Sequence, residues 1–594
     1  MSETADRIEE ESIHNRSRIP LPGIIGGISL LAIIIRALFA PWQATFPDSF
    51  TYLKLSECIS DGSFFIENWG TGLYSFSLTK SFYAMLIGGL SFIINDRQTV
   101  ATLISILCGG FLLIPVFYLG KTLFGNTSAW VSAVLVFFSP YLIQYSGWVL
   151  TESLFIFLFI SSISLTIVLL TTGGKWYSWI LLGMLSGLVY ITREVGIMTP
   201  PLIFLLVVVH QTLIKRAGYK KTALVLVSLI LGFLIIYLPA KSAQKHKDMV
   251  MMNHIGHAET ESAGDPVRVS LGVRLGTMVE NLIYTKDLHN NKTEYESSGS
   301  RLTPDGSRYL SMREGETSRN AHVITVLWEK KSLIADMVWK GMTRYGGVLW
   351  RDFSVILIIF TIIGLFFHLL AGKVNRETLF KRFFLPLWAI GYFSLLILSG
   401  SANFVGIDFE LHRYMTPVFP IIFLWTGYGV LIGAKWLAVL GERLGLKWNN
   451  KGIQQWGIIV GATGLTILVV ATFLPQAKGL SLVRSQPSFP RLVGEEIRKR
   501  SSRSPLVMAR TRAIPYYAGG GFLVTPYEPY DRVIEFARIR KVNFIVITIG
   551  DNRPLLRNML SISGPKPGLT LEFGVPDRRN PDSLVLAVYK VLDS

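Results

Sequence analysis

The sequence predicts a polytopic α-helical membrane protein with a C-terminal soluble α/β domain, and three observations carry that expectation. Half of the 594 residues are hydrophobic and only 16% are charged. The apolar residues gather into runs of about twenty, the length a helix needs to cross roughly 30 Å of hydrocarbon. After residue 475 those runs give way to short amphipathic and buried-strand patterns.

Residues 1–21 are mixed in charge and reach Pro20 without a small-residue cleavage site, so the first run is expected to stay as an anchor. Apolar runs lie at 22–40, 78–95, 99–119, 128–145, 151–171, 177–192, 196–213, 222–240, 353–371, 383–400, 411–433 and 456–475. Between Lys80 and Asn95 the uncharged stretch is only 14 residues, or roughly 21 Å as a helix, which suits an interfacial segment better than a span. Basic loops follow at Lys215, Arg216, Lys220 and Lys221, at Lys373, Arg376, Lys381 and Arg382, and at Lys435, Arg443, Lys447 and Lys451. The positive-inside rule makes all three cytoplasmic.

Counting back with 78–95 as a non-spanning helix gives about eleven spans, a cytoplasmic N-terminus at 1–21 and a membrane domain at 22–475. Counting 78–95 as a span would reverse the sides of the N-terminus and Asp48. In the eleven-span arrangement the loop 41–98, the turns near 146–151, at Arg193-Glu194 and at 401–413, and the large loop 241–351 are all external. That loop is too long for a connection and has regular pieces such as Arg319 to Trp339, so it reads as a functional cap; Asn290 to Gly306 within it is polar.

Residues 476–594 read as an external soluble domain. A helix pattern runs from Arg491 to Ser502 and another from Tyr530 to Arg540; strand patterns cover Leu506 to Ala509, Phe544 to Ile549 and Leu584 to Val591. About 119 residues suffice for an independent core.

The net charge of +18 comes from clustered loop Lys and Arg, which set membrane orientation and do not point to nucleic acid. Cys58 and Cys108 are the only cysteines, so neither a disulfide framework nor a cysteine zinc site is indicated. The polar residues worth attention are few. Asp48 follows Pro47 just after the first span and reads either as a turn residue or as an acid at the bilayer surface. Tyr52, Glu57 and Lys80 lie in the same loop; Glu152, Arg193 and the run Asp408 to Tyr414 stand at other external span ends. Each could simply extend into the interface. Together, a carboxylate beside cations suits a base that takes an acceptor proton while cations hold a departing phosphate.

Five segments carry a more specific signal: Phe46–Gly62 (FPDSFTYLKLSECISDG), Leu78–Leu90 (LTKSFYAMLIGGL), Tyr145–Phe155 (YSGWVLTESLF), Tyr190–Gly196 (YITREVG) and His412–Gly429 (HRYMTPVFPIIFLWTGYG). On these the chain resembles the GT-C superfamily of lipid-phosphate-sugar-dependent glycosyltransferases, in the branch with protein O-mannosyltransferases and the aminoarabinose transferase of lipid A. The resemblance implies a GT-C-like membrane domain with a non-spanning helix in its first external loop. It implies Asp48 as catalytic base, Lys80, Arg193 and Arg413 as ligands of the donor phosphate, and Tyr52 and Glu152 as positioning groups. The expected partners are a polyprenyl-phosphate sugar donor and a lipid, glycan or protein acceptor, at the extracytoplasmic face of the plasma membrane. Ser49 stands where many relatives have Glu, which weakens a two-carboxylate or metal-bridged mechanism; no cofactor is required, and a divalent cation stays open.

Rival readings are a transporter or lipid flippase and a non-catalytic glycan-binding relative. Transporters usually show paired repeats with interrupted spans, and neither is evident here. Arg36 in the first span is expected at the outer interface or reaching into the site. His254 with His257 reads as ordinary loop sequence, Gly519-Gly520-Gly521 as a turn, and Asn291-Lys292-Thr293 as a pattern too short to weigh.

Overall fold

The computed structural model describes residues 21–62, 65–66, 69–70, 74–75, 81–255, 331–370, 375–398, 408–444, 451–477, 480, 488–525, 530–548, 560, 566–577 and 583–592. Lys80, His257, Asn291 and most of 241–351 lie outside them. Within that loop the described ends are helical: Tyr219–Ile255 continues well past the expected span end at 240, and Lys331–Asp352 precedes the next span.

Eight described helices are long and apolar enough to cross a membrane: Pro22–Phe39, Arg97–Phe124, Glu152–Thr172, Glu194–Ile214, Tyr219–His246, Arg376–Leu396, His412–Arg443 and Gln454–Ala471. Two bent pairs add two more, Asn126–Phe138 with Pro140–Gly147 at 54° and Gly341–Asp352 with Val355–Leu370 at 117°. Pro140 opens the second member of the first pair, and its missing N–H and fixed φ explain the break there. Leu30, Leu31, Ile34 and Leu38 of the first helix stay exposed, a lipid-facing stripe.

The sheet fixes the parity of the crossings. Strand β1 (Phe65–Ile66) pairs antiparallel with β3 (Tyr74–Ser75). Between them β2 (Trp69–Gly70) leaves that loop and pairs in parallel with β5 (Gly521–Val524) of the tail. Residues 70 and 521 therefore lie on one side of the membrane, which requires an even number of crossings between them. The long helices after the first supply seven crossings, or nine if each bent pair crosses once. In the second count the remaining crossing would be Ser81–Leu90 or Trp176–Thr192, with 10 and 17 residues, or roughly 15 and 26 Å. Only the second approaches the hydrocarbon thickness. Eleven crossings with a non-spanning helix at 81–90 satisfy the pairing.

The six-stranded sheet runs β2-β5-β4-β6-β8-β7. β4 (Leu506–Ala509) pairs in parallel with β5 and with β6 (Phe544–Thr548); β8 (Leu584–Val591) joins β6 antiparallel, and β7 (Leu569–Pro576) lies at the edge. Met508, Leu523, Val533, Phe536, Ile545 and Ile547 form its buried core. The β5, β7 and β2 strands were not among the sequence expectations. Gly519 does turn, at φ +70°, and Gly521 starts β5.

Helix Val355–Leu370 crosses Phe419–Arg443 at Gly364 and Gly429. A methyl on Gly364 would run into the Trp425 carbonyl oxygen, and one on Gly429 into that of Phe360. Thr361 and Thr426 share a hydroxyl hydrogen bond of 2.8 Å beside this crossing, so small residues and a polar contact hold two spans together. Gly429→Ala is expected to cost on the order of 1–3 kcal/mol by overpacking, read as a lower melting midpoint in detergent; an unchanged midpoint would show that the crossing is not tight.

Candidate active site

Asp48 sits in the first turn of the helix Pro47–Ser60, which Pro47 opens at N1 and which ends at Asp61, ahead of Gly62 at φ +76°. The carboxylate does not cap that helix. Its Oδ2 accepts from Arg413 Nη1 at 3.1 Å. Arg413 Nε donates to Glu152 Oε1 at 2.6 Å, and Arg193 Nη1 donates to the same oxygen at 2.6 Å. A continuous chain of charge, Asp48–Arg413–Glu152–Arg193, thus joins four segments spread over 365 residues of sequence.

Local structure explains each position. Glu152 starts a span, is wholly buried and is preceded by Thr151, whose side chain does not cap the helix. Arg193 alone is extended, at φ −149°, between two helical stretches, so it turns its side chain back into the bundle. Burial opposes its charge most strongly, but Glu152 together with Tyr414 and Tyr392 raises its pKa overall, so it stays a cation. Its guanidinium also lies 5.3 Å from the Tyr414 ring and 5.9 Å from that of Phe155.

Arg413 is braced by its neighbour. His412 Nδ1 meets the buried Asp352 Oδ2, Tyr141 donates to Asp352 Oδ1 at 3.2 Å, and Arg351 Nη2 lies 2.9 Å from His412 Nε2. Arginine only donates, so Nε2 accepts and Nδ1 carries the proton toward Asp352. This cluster was not foreseen, although a His next to an Arg at a span entrance is a visible signal.

Tyr52 is one turn on from Asp48, buried, with its ring edge-on to Tyr83 at 5.6 Å. Burial, then Asp48 and Glu152, raise its pKa, so the phenol stays neutral. Arg36, near the end of the first span, turns into the helix bundle. It is buried, donating to Ser146 Oγ at 3.2 Å and to the carbonyls of Ala32 and Val136. These neutral partners hold the first helix against the bent pair 126–147.

Both carboxylates of the cluster are held by guanidiniums, and among the described residues no three His, Cys, Asp or Glu side chains converge as metal ligands.

An integral membrane protein with linked carboxylates and guanidiniums gathered at one end of its spans is the class these features define. Residues 81–237 match the family model of dolichyl-phosphate-mannose-protein mannosyltransferases. Among solved structures, the apo oligosaccharyltransferase of Archaeoglobus fulgidus is similar, with a TM-score of 0.54 and 13% identity over 88% of this chain and 69% of that one. Its complex with Zn and sulfate gives a TM-score of 0.53, with 12% identity over 87% of this chain and 67% of that one. ArnT from Cupriavidus metallidurans in the apo state gives 0.50, with 12% identity over 96% of this chain and 98% of that one. No curated protein matches the chain in sequence. The chain thus shares its fold with these membrane glycosyltransferases, and its residues 81–237 match the mannosyltransferase family model.

Proposed function

We propose that the protein transfers a sugar from a polyprenyl-phosphate-linked donor to an extracytoplasmic lipid, glycan or protein acceptor, with Asp48 as general base. The observation that carries this reading is the Asp48–Arg413 contact at 3.1 Å, which sets a half-exposed carboxylate against a buried chain of cations. Asp48 is 46% exposed and Glu152 is not exposed at all, so the first is open to an acceptor and the second serves to hold Arg413 and Arg193. The acceptor oxygen or nitrogen attacks the anomeric carbon as its proton passes to Asp48. The bond from that carbon to the phosphate oxygen breaks, and its electron pair leaves with the lipid phosphate. The phosphate gains one negative charge in that step, and Arg413 and Arg193 are the fixed cations available to meet it; Lys80, one residue before the helix Ser81–Leu90, is assigned to the same phosphate. A single displacement inverts the anomeric centre.

The donor class rests on the family model, whose members are described as using dolichyl-phosphate-mannose. We place the site and the tail at the extracytoplasmic face of the plasma membrane, because the three basic loops lie at the other ends of the spans. Proteoliposomes carrying the protein and radiolabelled polyprenyl-phosphate-mannose test the reading, with delipidated envelope glycans and peptides as acceptors. The expected result is label in an acceptor with an inverted anomeric configuration. Movement of intact labelled lipid between leaflets with no cleavage would support the flippase instead.

A further inference from the structure

The tail contributes a cation to the same site. Arg512 follows the carboxyl end of β4, next to the point where the chain passes to β5 on one side while β6 lies on the other. In open α/β sheets the crevice at such a switch point is where ligands bind. Here that crevice faces Asp48: Arg512 Nη1 is 3.9 Å from Asp48 Oδ1 and donates to Thr51 Oγ1 at 3.0 Å. Thr51 also accepts from Trp69 Nε1 of β2 at 3.3 Å, so one hydroxyl ties the Asp48 helix to the loop strand and to the tail at once. Phe50 packs its ring against Tyr516 and Tyr517 at 5.4 and 5.6 Å, and the Tyr517 hydroxyl reaches Gln98 at 3.1 Å.

The geometry on the two oxygens of Asp48 differs. Oδ2 is hydrogen-bonded to Arg413, whereas Oδ1 lies within ion-pair range of Arg512 but beyond hydrogen-bond length. A cation there fixes the direction of the carboxylate and leaves Oδ1 lone pairs for an acceptor proton. The pair is too exposed, at 27% and 46%, to add much to stability. Asp48, Glu152, Arg413 and Arg193 balance in formal charge; Arg512 gives the cluster an excess of one positive charge.

We propose that Arg512 is a positioning residue for Asp48, so that base catalysis requires the C-terminal domain docked on the first external loop. The inference rests on Asp48 acting as base. Its test compares turnover of polyprenyl-phosphate-mannose by Arg512→Ala, Arg512→Lys, Thr51→Val and the nearby exposed Arg510→Ala, with Asp48→Asn alongside. Arg512→Ala is expected to lower kcat at least about tenfold, as a misdirected base does, with donor KM and melting midpoint unchanged. Arg512→Lys should recover to within about threefold of wild type, Thr51→Val should fall between the two, and Arg510→Ala should match wild type. Should Arg512→Ala not fold, Thr51→Val carries the test, because it keeps the guanidinium and removes its anchor. Wild-type kcat in Arg512→Ala or Thr51→Val while Asp48→Asn is inactive would overturn this inference alone. An active Asp48→Asn would overturn the base assignment and the inference together. An equal loss in Arg510→Ala would reduce the effect to surface charge and overturn it as well.

Discussion

Asp48→Asn should lower kcat by about 10²–10⁴, the usual contribution of a positioned general base, while donor KM and thermal stability stay close to wild type. The amide keeps the shape of the carboxylate, and its oxygen can still accept from Arg413 Nη1, which now lies 3.1 Å from Oδ2. What it loses is the ability to take a proton. The side chain is 46% exposed, so removing its charge creates no buried vacancy, and a fall in stability would mean that Asp48 serves mainly to hold Arg413. Asp48→Glu separates geometry from chemistry: the base survives but moves by one methylene, so an intermediate loss is expected, since about 1 Å of misplacement can cost a hundredfold. Steady-state turnover of labelled polyprenyl-phosphate-mannose gives kcat and donor KM, and a melting curve in detergent gives the stability. Wild-type cleavage by Asp48→Asn would falsify the base assignment.

The sequence made the spans legible because each must bury its backbone and show an apolar surface over about twenty residues, a pattern that needs no knowledge of neighbours. It also marked 78–95 as too short to span, and the helix described there, Ser81–Leu90, has 10 residues. The bend at Pro140 was in principle visible from the proline, but an apolar run of normal length hid it. Glu152 and Arg413 were visible as charges at span ends, and the resemblance singled them out. Their 2.6 Å contact was not visible, because it joins residues 261 apart and depends on how spans pack. The partners of Arg36 were hidden for a similar reason: the carbonyls that satisfy it, from Ala32 and Val136, depend on how the first helix packs. Arg512 carried no signal. It lies in Arg510-Thr-Arg512 after a four-residue strand, and β2, which joins the loop after the first span to the sheet through β5, has only two residues, too few for any alternation to show.

Glu152→Ala is expected to have the largest effect on stability. The carboxylate is fully buried and one oxygen binds both Arg413 and Arg193, so its removal strands two guanidiniums whose side chains are only 12% and 11% exposed. Breaking a buried ion pair from one side typically costs about 3–5 kcal/mol, a large part of the net stability of most domains. The expected outcome is a sharply lower melting midpoint in detergent and no transfer. Glu152→Gln keeps the volume and one acceptor oxygen, so it should fold better than the alanine variant and still transfer poorly, because Arg413 then has only Asp48 to neutralise it. The decisive comparison is a double variant. If Glu152 acts as the hub of a charge cluster, Glu152→Gln with Arg193→Met removes one positive and one negative charge together. It should then be more stable than Glu152→Gln alone, a non-additivity of the sign expected for directly paired groups. If Glu152 only fills space at the start of its span, the two losses should add, and the cluster would not be the element that holds Arg413 against Asp48.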